Sequence, residues 1–240
     1  MPIFSCDFHI HSTLSPCGSL EMSPRNIIEK AKRVGLNIIS ITDHNMVENS
    51  FYAHEIGKRV GVAVLFGMEV QTMEEIHLLA IFDTYDLALS LQEKIYSLLP
   101  DVQNDAEYFG DQVVVNEENE IVRFENRLLL NSAQISITDA ALWIKDHGGI
   151  TIPSHIDSPT FSIISQLGYI PDDLPFDALE VRNKDKATEL LPLIMKKNLP
   201  FVSFSDAHYL EDIGKRRINL DLIEPNCKEI ASAMKNLQLN

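Results

Sequence analysis

Short runs dense in β-branched and aromatic residues alternate along this chain with stretches whose apolar positions recur every three to four residues. The first kind covers 3–8, 37–42, 62–67, 76–82, 149–153, 178–181 and 201–204, and each run predicts a strand. These runs are continuously apolar rather than alternating, as strands buried on both faces are. Between them the spacing predicts helices over 24–33, 47–60, 87–98, 138–147, 160–166, 187–197 and 227–237. Ser23-Pro24 supplies an N-cap and a proline at the first helical position, and Gly35 stops that helix. Strands alternating with helices predict an α/β fold.

One stretch breaks the rhythm. Residues 100–131 are acidic and polar, with a hairpin signal around Glu117-Glu118-Asn119. This stretch is expected to be an insertion or lid on a single domain spanning 1–240. No repeat, low-complexity tract or Gly/Ser linker divides the chain.

Charge narrows the function. Against 20 basic residues stand 35 acidic ones, a net charge of −15. Binding to duplex nucleic acid or an anionic membrane requires a basic surface, so neither is expected. An acidic protein acting on an anionic substrate needs local positive charge, which bound metal ions supply. Cys6, Cys17 and Cys227 form no disulfide framework. No secretory leader or membrane-spanning run is evident, so a cytoplasmic protein is expected.

The histidines carry the chemistry. His9 and His11 follow the first run, two apart in extended backbone, so both imidazoles can reach one ion. Asp43-His44 follow the second run, Glu69 the third, His155 another, and Asp206-Ala207-His208 the last. In a barrel of parallel strands such ends converge on one mouth. His77 instead begins its run. The link from Glu69 is too short for a crossover helix, so this strand is expected to pair antiparallel, returning His77 to the same mouth. His54 and His147 fall within helices and are read as ordinary surface or core residues.

The ordered set Asp7-Phe8-His9-Ile10-His11-Ser12, Ile41-Thr42-Asp43-His44-Asn45, Gly67-Met68-Glu69, Ile76-His77-Leu78-Leu79, Pro153-Ser154-His155 and Ser205-Asp206-Ala207-His208 resembles the polymerase and histidinol phosphatase (PHP) family. The resemblance implies a distorted seven-stranded β/α barrel holding two or three divalent metal ions. It implies that His9, His11, Glu69 and Asp206 hold the first. Glu69 bridges to a second with His77 and His155, while His44 and His208 hold the third. The family contributes one further histidine or aspartate from the loop after the first strand. Here that loop reads Ser15-Pro16-Cys17-Gly18, so Cys17 is the nearest candidate.

A donor set rich in nitrogen with some carboxylate suits Zn, Mn or Fe rather than Mg or Ca. The expected reaction is phosphomonoester hydrolysis on a small molecule or nucleotide, by water activated between two metals. Asp43 or Asp206 is a candidate general acid, Asp43 alternatively a partner orienting a ligand histidine. Arg182, directly after a strand, is the leading candidate for contacting phosphate, ahead of Arg25, Lys184 and Arg216. A phosphodiesterase or exonuclease acting on short oligonucleotides remains open. An amidohydrolase-type C–N hydrolase is a lesser alternative, because Glu69 stands where that class places a bridging lysine.

Overall fold

A computed structural model describes residues 2–195 and 198–237. Three parallel strands begin the sheet: β1 (Ile3–Ile10), β2 (Ile38–Ile41) and β3 (Ala63–Gln71). The next, β4 (His77–Phe82), runs antiparallel to β3 with Gln71 opposite His77, the pairing expected from the short link. β7 (Ile150–Pro153) is antiparallel to β4. A ladder of two residues each, β8 (Leu179–Glu180) and β9 (Phe201–Val202), follows.

Single hydrogen bonds join the pieces into a curled sheet. The Asp177 amide donates to Thr151 O (2.9 Å), linking the β8 region to β7. The Ala207 and His11 amides donate to His9 O (3.2 Å) and Ala207 O (2.9 Å), linking the segment after β9 back to β1. The expected count of seven strands differs in detail. The continuous sheet has six, because β10 (Ile218–Asp221) pairs antiparallel with β1, while β8 and β9 form their own ladder. Ile218 and Leu220 are buried and Asn219 and Asp221 exposed, so β10 is a half-buried edge strand whose short period-two signal is absent from the predicted set.

Helices α1 (Pro24–Arg33) and α2 (Glu48–Val60) cover β2 and β3, and α3 (Tyr85–Leu98) and α5 (Ile137–Asp146) extend the same outer face over β3, β4 and β7. Ser23 caps α1 by accepting the Asn26 amide. Short helices α6 (Ile163–Leu167) and α7 (Lys184–Leu190) follow β7 and β8, and α8 (Cys227–Met234) closes the described chain. Residues 196–197 of the helix predicted over 187–197 lie outside the described residues. Among the described residues, no helix is long and apolar enough to cross a membrane.

Segment 100–131 contains α4 (Ala106–Phe109) and the hairpin of β5 (Val113–Val115) with β6 (Ile121–Phe124). It packs on the loop after β1. The Val113 amide donates to Thr13 O (2.8 Å), and Thr13 Oγ1 donates to Val113 O (3.0 Å). Asn49 of α2 donates to Val113 O and accepts the Val115 amide.

A register slip in β1 decides where the first two histidines point. Asp7 faces Ile39 and Ile10 faces Ile41, three steps on β1 against two on β2. Cys6 and Phe8 pack with Leu65, Leu79, Ile81 and Ile152, whereas Ile10 packs with Ile39 and Ile41 against α1 and α2. Strict alternation would put Ile10 on the face of Cys6 and Phe8, turning His9 and His11 toward the helices. This bulge turns both imidazoles to the mouth instead.

Candidate metal centre

The mouth gathers side chains from six strand ends. Glu69 sits at the middle: Oε1 lies 3.1 Å from His9 Nε2, 3.2 Å from His77 Nδ1 and 3.6 Å from His155 Nε2. Its Oε2 lies 3.3 Å from His44 Nδ1 and 3.5 Å from His11 Nε2. Asp206 Oδ1 lies 3.4 Å from His9 Nε2 and 3.5 Å from His11 Nε2. Two residues before Glu69, a Cβ on Gly67 would meet Ser40 Oγ and Thr42 Cγ2, at 2.2 and 2.6 Å. Only glycine lets β2 and β3 approach this closely here.

Hydrogen bonds on the far side of each ring fix which nitrogen is free. His9 Nδ1 donates to Glu180 Oε2 (2.9 Å), and His11 Nδ1 donates to Ser15 Oγ (3.0 Å). His208 Nδ1 donates to Asp206 O (2.9 Å). Each of these leaves Nε2 with its lone pair toward the mouth. His77 is reversed: Nε2 donates to Gln71 Oε1 (3.0 Å), leaving Nδ1. Such outer partners hold imidazoles in the tautomer and orientation that metal binding needs.

Asp43 lies behind the cluster. Its oxygens accept the Ser12 amide and the Ser12 and Ser15 hydroxyls, at 2.5–2.7 Å, and Ser15 in turn receives His11. That is the geometry of a positioning group. Arg182 donates to Asp206 Oδ2 (2.7 Å) and lines a cleft of about 130 Å³ with Glu69, His77, His155, Phe161 and His208. Arg25 instead donates to Glu117 O, and Arg216 to Phe204 O and Ser205 O, so both serve backbone. The Lys184 side chain lies outside the described atoms. No residue of segment 100–131 lines this cleft. His54 donates to Val64 O and His147 stacks on Trp143, away from the mouth.

Electrostatics show what the cluster lacks. Burial alone would lower the His9 pKa, but Glu180, Glu69 and Asp206 outweigh it and hold it well above its ordinary value. Burial would raise Asp206, yet His9 and His11 keep it well below the carboxylate range. Burial and then His208 push His11 down to about 4. The acids thus demand a cation, which protons alone supply to only some of the rings. Glu69 Oε1, His44 Nδ1, His77 Nδ1 and His155 Nδ1 are buried with no hydrogen-bond partner. Such orphaned atoms are costly unless something binds them. Three donor groups can each converge on one point: His9, His11 and Asp206; His44, Glu69 and His77; and His11, Cys17, His44 and His208, each with atoms within 4.8 Å of one another. The residues present fit divalent metal ions.

His155 and Asp206 adopt positive φ (30° and 50°), a strained backbone that is concentrated at functional sites. Glu180 is a residue of the mouth absent from the set that the sequence predicts. The sequence gives it no end-of-strand signal, because Glu180 lies inside the apolar run 178–181 with Val181 after it. Its oxygens take His9 Nδ1 and the His155 amide (3.0 Å), tying two candidate ligands together. Glu180→Gln is expected to weaken metal binding by about 10–100-fold, read by metal titration against the unmodified protein. Unchanged affinity would remove Glu180 from the supporting shell.

The profile of the PHP domain matches residues 7–148, and that of the PHP-associated family residues 191–239. An uncharacterized protein of Methanocaldococcus jannaschii is 36% identical over 77 residues, 28% of this chain and 44% of that protein. The lesion-specific endonuclease PfuEndoQ from Pyrococcus furiosus superposes with a TM-score of 0.69 at 19% identity, over 99% of this chain and 57% of that one. A candidate metal-dependent phosphoesterase from Bifidobacterium adolescentis gives 0.61 at 17%, over 98% of this chain and 97% of that one. The matched segment is thus under half of the curated relative, and the chain spans little more than half of the endonuclease. With the domain profile covering more than half of the chain and every motif in order around one mouth, the chain belongs to the PHP domain family.

Proposed function

We propose that this protein is a metal-dependent phosphoesterase acting on a phosphomonoester of a small molecule or nucleotide. One observation carries the reading. Buried imidazoles and acids from six strand ends converge beside a cleft open to solvent, and four of them, His44, Glu69, His77 and His155, carry an atom with no hydrogen-bond partner. His9, His11, Glu69 and Asp206 would hold one ion, Glu69, His77 and His155 a second, and His44, His208 and Cys17 a third. Imidazole with carboxylate favours Zn, Mn or Fe. When bound, such ions polarise phosphoryl oxygens and lower the pKa of water toward neutrality.

The chain's own residues do the rest. Arg182, half-exposed at the cleft edge, offers its guanidinium to a phosphoryl oxygen while Asp206 holds it in place. Asp43 fixes His11 through Ser15. Asp206 is anionic and engaged on both oxygens, which suits a ligand and anchor better than a proton donor. The small cleft, lined also by Ser158, Thr160 and Phe161, accommodates a phosphoryl group and leaves the rest of the substrate outside.

The fold shared with a lesion-specific endonuclease favours a second reading, phosphodiester cleavage in short oligonucleotides. Against it stand the net charge of −15 and a cleft in which Arg182 is the only lysine or arginine among the described lining residues. The deciding assay gives Mn- or Zn-loaded protein p-nitrophenyl phosphate, bis-p-nitrophenyl phosphate, histidinol phosphate, nucleoside bisphosphates, short RNA and an amide. Turnover of monoesters, absent in His9→Ala, is the expected result. Turnover confined to diesters and RNA would transfer the assignment to the second reading, and turnover of the amide alone would end both.

A further inference from the structure

We infer that the third position of this centre is a zinc-selective thiolate site, with Cys17 Sγ, His44 and His208 as its protein donors. The inference rests on the proposed metal centre and adds the identity of one ion. Four donor atoms, from His11, Cys17, His44 and His208, lie within 4.8 Å of one another. His11 belongs elsewhere. Its Nδ1 is committed to Ser15, whose own proton goes to Asp43, and its Nε2 lies 3.2 Å from His9 Nε2 and 3.5 Å from Asp206 Oδ1. His208 has only Nε2 left, and His44 Nδ1 is buried with no hydrogen-bond partner. What remains is two nitrogens and one sulfur: Cys17 and His208 belong to no donor group with a carboxylate, while His44 also neighbours Glu69, its Nδ1 3.3 Å from Oε2. Thiolate with imidazole selects zinc over harder ions such as Mn, and three protein donors leave a fourth tetrahedral position open.

The fold holds the thiol in place. The loop carrying Cys17 is tightened by the Ser15 amide on Ser12 O (3.1 Å) and the Gly18 amide on Ser15 O (2.9 Å). A Cβ on Gly18 would lie 2.9 Å from Ser12 O. From the outside, Gly110 at φ +100° sits so close that a Cβ there would come within 2.5 Å of Pro16 O. Segment 100–131 therefore acts as a brace for the Cys17 loop. Cys6 and Cys227 are buried and Cys17 is exposed, so thiol chemistry in the folded protein reports on Cys17.

The test is cobalt substitution of the full chain, read by absorption and by metal content after dialysis. The expected result is a near-ultraviolet thiolate-to-cobalt charge-transfer band. Cys17→Ser loses the band and about one ion equivalent while keeping its far-ultraviolet circular dichroism. Cys17→Asp keeps the ion count without the band and shifts preference from zinc toward manganese. Zinc should also slow iodoacetamide labelling of Cys17 by about tenfold or more, since bound thiolate is not a free nucleophile. Cobalt bound without the band, or labelling indifferent to zinc, overturns the inference. A protein that retains metal and hydrolyses phosphoesters without the band loses only the thiolate site; one that retains no metal loses the proposed function as well.

Discussion

Glu69→Gln is expected to cut turnover by about 10³-fold or more while leaving the fold intact, the size of loss seen when a group stabilising transition-state charge is removed. Five imidazoles lie within 3.6 Å of this one buried carboxylate. Its charge outweighs the cost of burial because His77 and His9 hold its pKa well below the ordinary value. Glutamine keeps the shape but replaces one anionic oxygen by an amide nitrogen, which donates where a shared cation needs an acceptor. The two ions that Glu69 is proposed to bridge then lose their shared ligand, and metal content should fall with kcat. The measurements are kcat on the preferred monoester, metal content and thermal unfolding of both proteins. Near-normal turnover with full metal content would show that Glu69 does not bridge.

Stripping metal with a chelator should take activity to background and lower Tm by about 10 °C. Ions present at about 1,000 times their Kd stabilise the folded chain by about 4 kcal/mol. For a chain of this size each kcal/mol moves Tm by about 2–4 °C. The structural reason is the set of buried atoms on Glu69, His44, His77 and His155 that have no hydrogen-bond partner among the described groups. Without cations these rings and carboxylates crowd one another in a space that excludes water. Restoring zinc or manganese should return both properties together. A chelated protein proven free of metal yet equally active and equally stable would remove the metal from the mechanism.

Legibility in the sequence differs residue by residue. His9, His11, His44, Glu69, His77, His155, Asp206 and His208 can be picked out because each follows or opens an apolar run, a local property of the chain. The antiparallel turn of β4 is equally local, since a five-residue link admits no crossover. The hairpin in 100–131 is signalled by turn residues, and β5 with β6 bear it out. Its role is not signalled. The segment braces the loop after β1 and contributes nothing to the cleft, through contacts about 100 positions apart. Glu180 escapes for the same reason, its partner His9 being 171 positions away.

The chain's own letters determined which side chains meet at the mouth and that strand ends would present them, because periodicity and residue type act over a few neighbours. Three-dimensional packing decided the rest. A one-residue slip between β1 and β2 chose the face of His9 and His11, the seam at Ala207 brought Asp206 against them, and Glu180 and Ser15 set their tautomers. Those outcomes depend on register and on hydrogen bonds between distant segments, energies that no stretch of sequence contains until the sheet has closed.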